Sequence, residues 1–136
     1  MTKICFSFNS HDPKFVTNKI ILNNTPNNFI GHYFITCPIY DKNNVVIGTK
    51  VADDYVQQTG PNEYYVRINS TYYFNDKSTI SWQYCFVNNI PETYYPIGVL
   101  AESNVICTTG KYLNKKGNVK LMPYADGTRK VKICFD

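Results

Sequence analysis

Apolar and polar residues alternate along most of this chain, and the alternation is broken at short polar clusters. A period of two is the signature of a half-buried strand. Residues 3–9 alternate and predict a first strand, which Ser10-His11-Asp12-Pro13 should end, because proline cannot extend a central ladder. Residues 19–22 are a short apolar run suited to an edge strand, followed by a polar loop over 23–28. Residues 31–40 predict a second clear strand, with a turn at 41–44 and a partner strand over 45–56. Another turn is expected at 59–62. The strongest strand pattern runs from 64 to 74 and returns over 79–87 after a tight turn at Asn75-Asp76-Lys77. A loop over 88–96 follows, then a strand over 97–107 interrupted at Glu102-Ser103-Asn104. Residues 108–117 read as a long turn. A last hairpin pairs 118–122 with 129–135 around Ala125-Asp126-Gly127.

No window shows helical periodicity. About eight strands joined by short turns predict an all-β sandwich or barrel. A length of 136 residues fits one domain over 1–136 and is enough to bury a core without a structural metal. Aromatic residues are 15% of the chain, with 12 Tyr and 8 Phe. Flat rings pack well on a pleated surface, so this richness also favours strands. The net charge of +4 is scattered except at Lys115-Lys116 and around Arg129-Lys130-Lys132. Scattered charge argues against nucleic-acid binding, which favours a basic stripe. No long apolar run predicts a membrane span, and the first residues do not read as a leader, so the expectation is a cytoplasmic protein. The bias to Asn, Lys, Ile and Tyr matches an AT-rich genome, a virus among the candidate sources.

Few residues offer chemistry. The five cysteines are widely spaced with no Cys-x-x-Cys, which favours buried free thiols over a disulfide framework or zinc site. Cys5 and Cys134 lie on the two terminal strands, and a single bridge between them is the alternative. His11 and His32 are scattered, so neither a metal nor a cofactor is expected. Cys37 reads as core, with nothing nearby in sequence to activate it. Asp53-Asp54 is the one paired carboxylate, and alternation turns the two to opposite faces. The bland reading leaves both in water at a sheet rim. The stripe Ile80, Trp82, Tyr84 and Phe86 either fills a core or lines a pocket. Asn69-Ser70-Thr71 and Asn23-Asn24-Thr25 are glycosylation sequons by chance.

Three groups of residues, in order, resemble the allene oxide cyclase and dirigent barrel superfamily. They are Pro38-Ile39-Tyr40-Asp41 with Ile47-Gly48, Thr71 to Asp76 with Ser78-Thr79-Ile80-Ser81, and Thr108-Thr109-Gly110-Lys111-Tyr112 with Gly117-Asn118-Val119. The resemblance implies an eight-stranded antiparallel closed barrel, commonly a trimer, with an apolar cavity. It also places Asp54 on the same side as Tyr33, Cys37, Trp82 and Phe86. The catalytic residues of the family are not retained. The first strand, Ile4 to Asn9, has no Glu, Asp54 stands where the cyclases carry a cysteine, and Thr36-Cys37 replaces the aspartate pair of dirigents. A dirigent aspartate survives only as Asp12, in a shifted register.

The leading expectation is therefore a non-catalytic barrel that binds a small apolar or aromatic ligand. Its pocket would be lined by Tyr33, Cys37, Asp54, Asn69, Trp82 and Phe86. A structural or interaction role, such as a trimeric virion or surface component, is the first alternative. An isomerase or cyclase with rearranged acids is the second, and it requires Asp54 or Asp12 inside the barrel. Single-strand nucleic-acid binding is the fourth reading.

Overall fold

The computed structural model describes residues 3–11 and 18–136. The breaks in alternation become turns with visible chemistry. After β3 (Ile30–Tyr40), the Asp41 carboxylate accepts hydrogen bonds from the amides of Asn43 at 2.8 Å and Val45 at 3.0 Å. Asn44 takes φ +61°, a conformation asparagine tolerates, and the chain reverses into β4 (Val46–Gly60). Asn62 turns β4 into β5 (Glu63–Phe74), and Lys77 turns β5 into β6 (Thr79–Asn88). In that last turn the Asp76 carboxylate accepts bonds from the Ser78 amide at 2.9 Å and from its hydroxyl, and pairs with Lys111 at 3.0 Å.

After a long connection come β7 (Ala101–Thr109), a 3₁₀ turn (Gly110–Tyr112), β8 (Gly117–Pro123) and β9 (Thr128–Phe135). The nine strands of the described residues form one antiparallel sheet in the order β1-β9-β8-β7-β6-β5-β4-β3-β2, where β1 is Ile4–His11 and β2 is Asn18–Asn23. A further pairing of β1 with β3 closes eight strands into a barrel and leaves β2 outside as an edge. The closure is uneven. β1 meets β9 over eight residue pairs but meets β3 only at Asn9–Tyr40 and Ser10–Ile39.

Several boundaries differ from the sequence reading. Ser10 and His11 do not end β1, because β9 offers them partners at Arg129 and Thr128; Asp12 and Pro13 lie outside the described residues. β4 continues through Thr59 to Gly60, which pairs with Glu63 of β5 after a register shift at Thr59. Residues 97–100 are not strand, whereas Glu102, Ser103 and Asn104 are, paired with Lys120, Val119 and Asn118. Glu102 and Asn104 face water on the outer side, and Ser103 between them is half-buried on the other. No helix among the described residues is long and apolar enough to cross a membrane.

Two landmark glycines are explained by close approach. A Cβ on Gly48 would overlap the Tyr73 carbonyl oxygen, and one on Gly117 would overlap that of Cys134. The cysteines correct the free-thiol reading. Cys5 and Cys134 are cross-strand neighbours of β1 and β9 and form a disulfide. Cys85 and Cys107 are free but exposed, because their positions fall on the outer face; Cys37 is free and half-buried.

The inward residues build the core in layers. One end is aromatic: Phe6, Phe8, Phe74, Tyr112 and Phe135 pack with ring centres 5.4–6.2 Å apart. Ile39, Val56, Val66, Ile68, Ile80, Val119, Leu121, Val131 and Ile133 are buried along the wall. Each such side chain contributes roughly 1.5–3 kcal/mol.

Candidate functional site

The interior is not uniformly apolar. Period-two alternation turns Lys50, Ala52, Asp54 and Val56 of β4 inward, and all four are buried. The register then fixes what stands beside them. Lys50 lies between Cys37 and Tyr72, Ala52 between Ile35 and Ser70, and Asp54 between Tyr33 and Ile68. The next strand adds Trp82 beside Ser70 and Tyr84 beside Ile68. From the far side β9 turns Arg129 inward, ahead of Val131 and Ile133, and β1 contributes Ser10. Lys50 is 1% exposed, Asp54 1% and Arg129 4%. Charged side chains are almost never this buried without being held by other groups, so their meeting inside one barrel marks the site.

A final residue comes from the connection between β6 and β7. Thr93 and Tyr95 dip inward while Tyr94 and Pro96 stay exposed. The Tyr95 ring stacks near Trp82 at 6.4 Å and near Tyr84 at 6.0 Å. The Arg129 guanidinium lies 4.8 Å from the ring centre and the Lys50 ammonium 5.5 Å, both within cation–π range. Tyr33 anchors the same connection, its hydroxyl donating to the Pro91 carbonyl at 2.6 Å. Lower down, the Trp82 indole N–H donates to the Tyr72 hydroxyl at 3.0 Å.

Burial raises the Asp54 carboxyl to about 7, against the opposing pull of Lys50, a hydrogen bond from Thr93 and the charge of Arg129. Burial likewise raises the phenols of Tyr33, Tyr72 and Tyr95. Polar capacity is left over. Among the described residues, Asp54 Oδ1, Ser70 Oγ, Ser10 Oγ and the Tyr95 hydroxyl are buried with no hydrogen-bond partner. The Ser70 and Tyr95 hydroxyls face one another, yet no bond of good geometry joins them. Leaving such groups unpaired costs about 1–3 kcal/mol each, which a ligand or water could recover.

The structure places the sequence candidates unevenly. Tyr33, Asp54 and Trp82 are buried on the inner face, and Cys37 is half-buried on it. The rim reading of Asp54 is wrong: β4 runs on to Gly60, which carries Asp54 down into the barrel, while Asp53 is exposed on the outer face. Phe86 is half-buried nearer the mouth and stacks with Tyr84 and Tyr95. Asn69 does not line the interior. It pairs with Asp53 on the outer face, and Ser70 is the inward residue. His32 lies between Phe34 and Tyr55, and His11 beside Tyr40. No group of His, Cys, Asp and Glu among the described residues could hold a metal.

In the sequence Ser70 stands out only inside a sequon and Arg129 only in a charged run of the kind that ordinarily faces water, whereas Arg129 is buried; nothing there singles out Lys50, Thr93 or Tyr95. Lys50 shares the parity of Asp54 and could have been found by alternation alone. Tyr95 carried no signal, because a loop has no period.

No family model matches the chain, and no curated protein resembles it significantly. Solved structures do match it over nearly its whole length. A pyocyanin demethylase superposes with a TM-score of 0.61 at 11% identity, covering 99% of this chain and 100% of the other. An exo-specific intermolecular Diels–Alderase gives 0.58 at 11% identity, with 99% and 98% covered. A pterocarpan synthase dirigent protein gives 0.56 at 18% identity, with 98% and 86% covered. The chain has the dirigent-like β-barrel fold. This agrees with the eight closed strands. At these identities the dirigent-like barrel is shared as architecture, and chemistry has to be argued from the residues.

Proposed function

We propose that this dirigent-like barrel binds a small aromatic molecule bearing a polar group, at the interior site formed by Lys50, Asp54, Ser70, Trp82 and Arg129. The observation that carries the reading is the burial of two cations and a carboxyl among stacked rings, with hydrogen-bonding atoms left over. A chain needing only a stable barrel gains nothing from this arrangement, since apolar side chains of like volume would do as well or better. Aromatic walls supply apolar contact and stacking, and the polar groups fix orientation. The names of the three structural neighbours, a demethylase of pyocyanin, a Diels–Alderase and a pterocarpan synthase, are consistent with an interior that handles small organic molecules. Trp82 lies in the site wall, so titration with phenols, aromatic acids and fatty acids should change its fluorescence. No change with any of them refutes the reading.

A second reading is favoured by Asp54 itself. A buried carboxyl titrating near neutrality is suited to general acid–base work, such as proton transfer in an isomerisation or cyclisation. If turnover is found, its rate should follow one ionisation near pH 7, and Asp54→Asn should abolish that dependence. An unchanged profile in the variant would leave Asp54 with a binding role only.

A further inference from the structure

The interior site already holds a phenol, and the chain itself supplies it. Tyr95 is 3% exposed, although it belongs to a connection that pairs with no strand. Its ring lies 11° from the plane of Trp82 and 25° from those of Tyr84 and Phe86. Arg129 and Lys50 attend the same ring. Space for it exists because Ala52 and Ser70, at one level of the wall, are small. The recognition is that of a planar hydroxylated ring in general: stacking surface, cations and a facing hydroxyl.

Besides the ring contacts of Tyr95, the connection makes polar contacts with the barrel. The Pro91 carbonyl accepts from Tyr33, the Glu92 carbonyl accepts from the Asn88 side chain at 3.4 Å, Thr93 bonds Asp54, and the Gly98 amide donates to the Pro123 carbonyl at 2.9 Å. Gly98 takes φ +74°, a left-handed turn that glycine adopts without strain, and nothing lies within 4 Å of where a Cβ would stand. Ile90, Tyr94, Ile97, Val99 and Leu100 are all exposed, so lifting the segment gives up little burial beyond Tyr95 and Thr93.

We propose that Tyr95 is a resident stand-in for the ligand, that residues 89–100 form a plug, and that a planar phenol binds by displacing the Tyr95 ring from its place beside Trp82 and Arg129. This rests on the small-molecule reading and narrows it to flat, hydroxylated aromatic rings. The incoming ring inherits the contacts Tyr95 gives up. The plug therefore lowers apparent affinity by the fraction of time the site is closed.

The test uses 2-naphthol, with cyclohexanol as a non-planar control, titrated calorimetrically into the wild-type chain and Tyr95→Ala. The variant should bind 2-naphthol at least 10-fold more tightly, with cyclohexanol weak in both. In the wild-type protein, saturating 2-naphthol should speed amide hydrogen exchange over residues 92–98 while β5 and β6 stay slow. This measurement needs no variant and decides the matter if Tyr95→Ala fails to fold. Equal or weaker binding by the variant, or slower exchange over 92–98, overturns the plug and makes Tyr95 a fixed wall. Absence of binding to either protein overturns the small-molecule reading, and the plug with it.

Discussion

Replacing Asp54 by asparagine should make the protein more stable at alkaline pH. The carboxyl is raised from 3.8 to about 7 because its burial outweighs the attraction of Lys50 and Arg129. A group whose folded-state pKa lies above its unfolded value supports folding fully below the unfolded pKa. That support is lost as pH rises through the folded pKa. The window is therefore pH 4 to 7, and three units at 1.36 kcal/mol each give about 4 kcal/mol. Asparagine has the shape of the protonated acid and never ionises. Urea unfolding of both proteins at half-unit steps from pH 4 to 9 measures the difference. Taking the difference between the two proteins cancels the titration of every other group. The variant should match the wild type near pH 4 and exceed it by about 4 kcal/mol above pH 8, with a slope near 1.4 kcal/mol per pH unit between. A flat difference, or a variant that loses stability relative to wild type as pH rises, would refute the reasoning. The latter would mean that Lys50 and Arg129 hold the carboxylate ionised and that Coulomb attraction wins over desolvation.

Other outcomes follow from single contacts. Reducing the Cys5–Cys134 bridge, which spans 129 residues, should cost about 5 kcal/mol by the loop-closure model, read as a drop in urea midpoint on adding reductant; no drop would mean the reduced chain is equally constrained. Gly48→Ala should cost about 1–3 kcal/mol or more because β4 and β5 must part around the new methyl, whereas Gly60→Ala, with only Glu63 Cβ at 3.9 Å, should cost far less; equal thermal shifts would contradict the close-approach account. Tyr72→Phe strips the Trp82 indole N–H of its acceptor and should cost about 1–3 kcal/mol, measured by chemical unfolding; a neutral result would mean the indole finds another partner.

How much of this was legible depends on range. The turns at Asp41, Asn62 and Asp76 are local, and their side chains bond amides two to four residues away or tolerate a positive φ. Asn69 was also legible and was misread. With the β4–β5 turn near residue 61, Asn69 must oppose Asp53 and so share its outward face. The error over Asp54 was of another kind. Alternation gives the face but not the depth along the barrel axis, and depth depends on how far β4 finds a partner in β5.

Apart from the shared face of Tyr33, Asp54 and Trp82, which the family resemblance implied, the sequence by itself determined most of the strands and where they reverse. Those properties come from a period of two and from the backbone preferences of a few turn residues, both local. Only closure of the barrel decided that Lys50 of β4, Arg129 of β9 and the loop residue Tyr95 meet in one place. It also brought Cys5 to Cys134. Such meetings depend on register between strands far apart in the chain, and on a loop with no period, neither of which any short window of residues records.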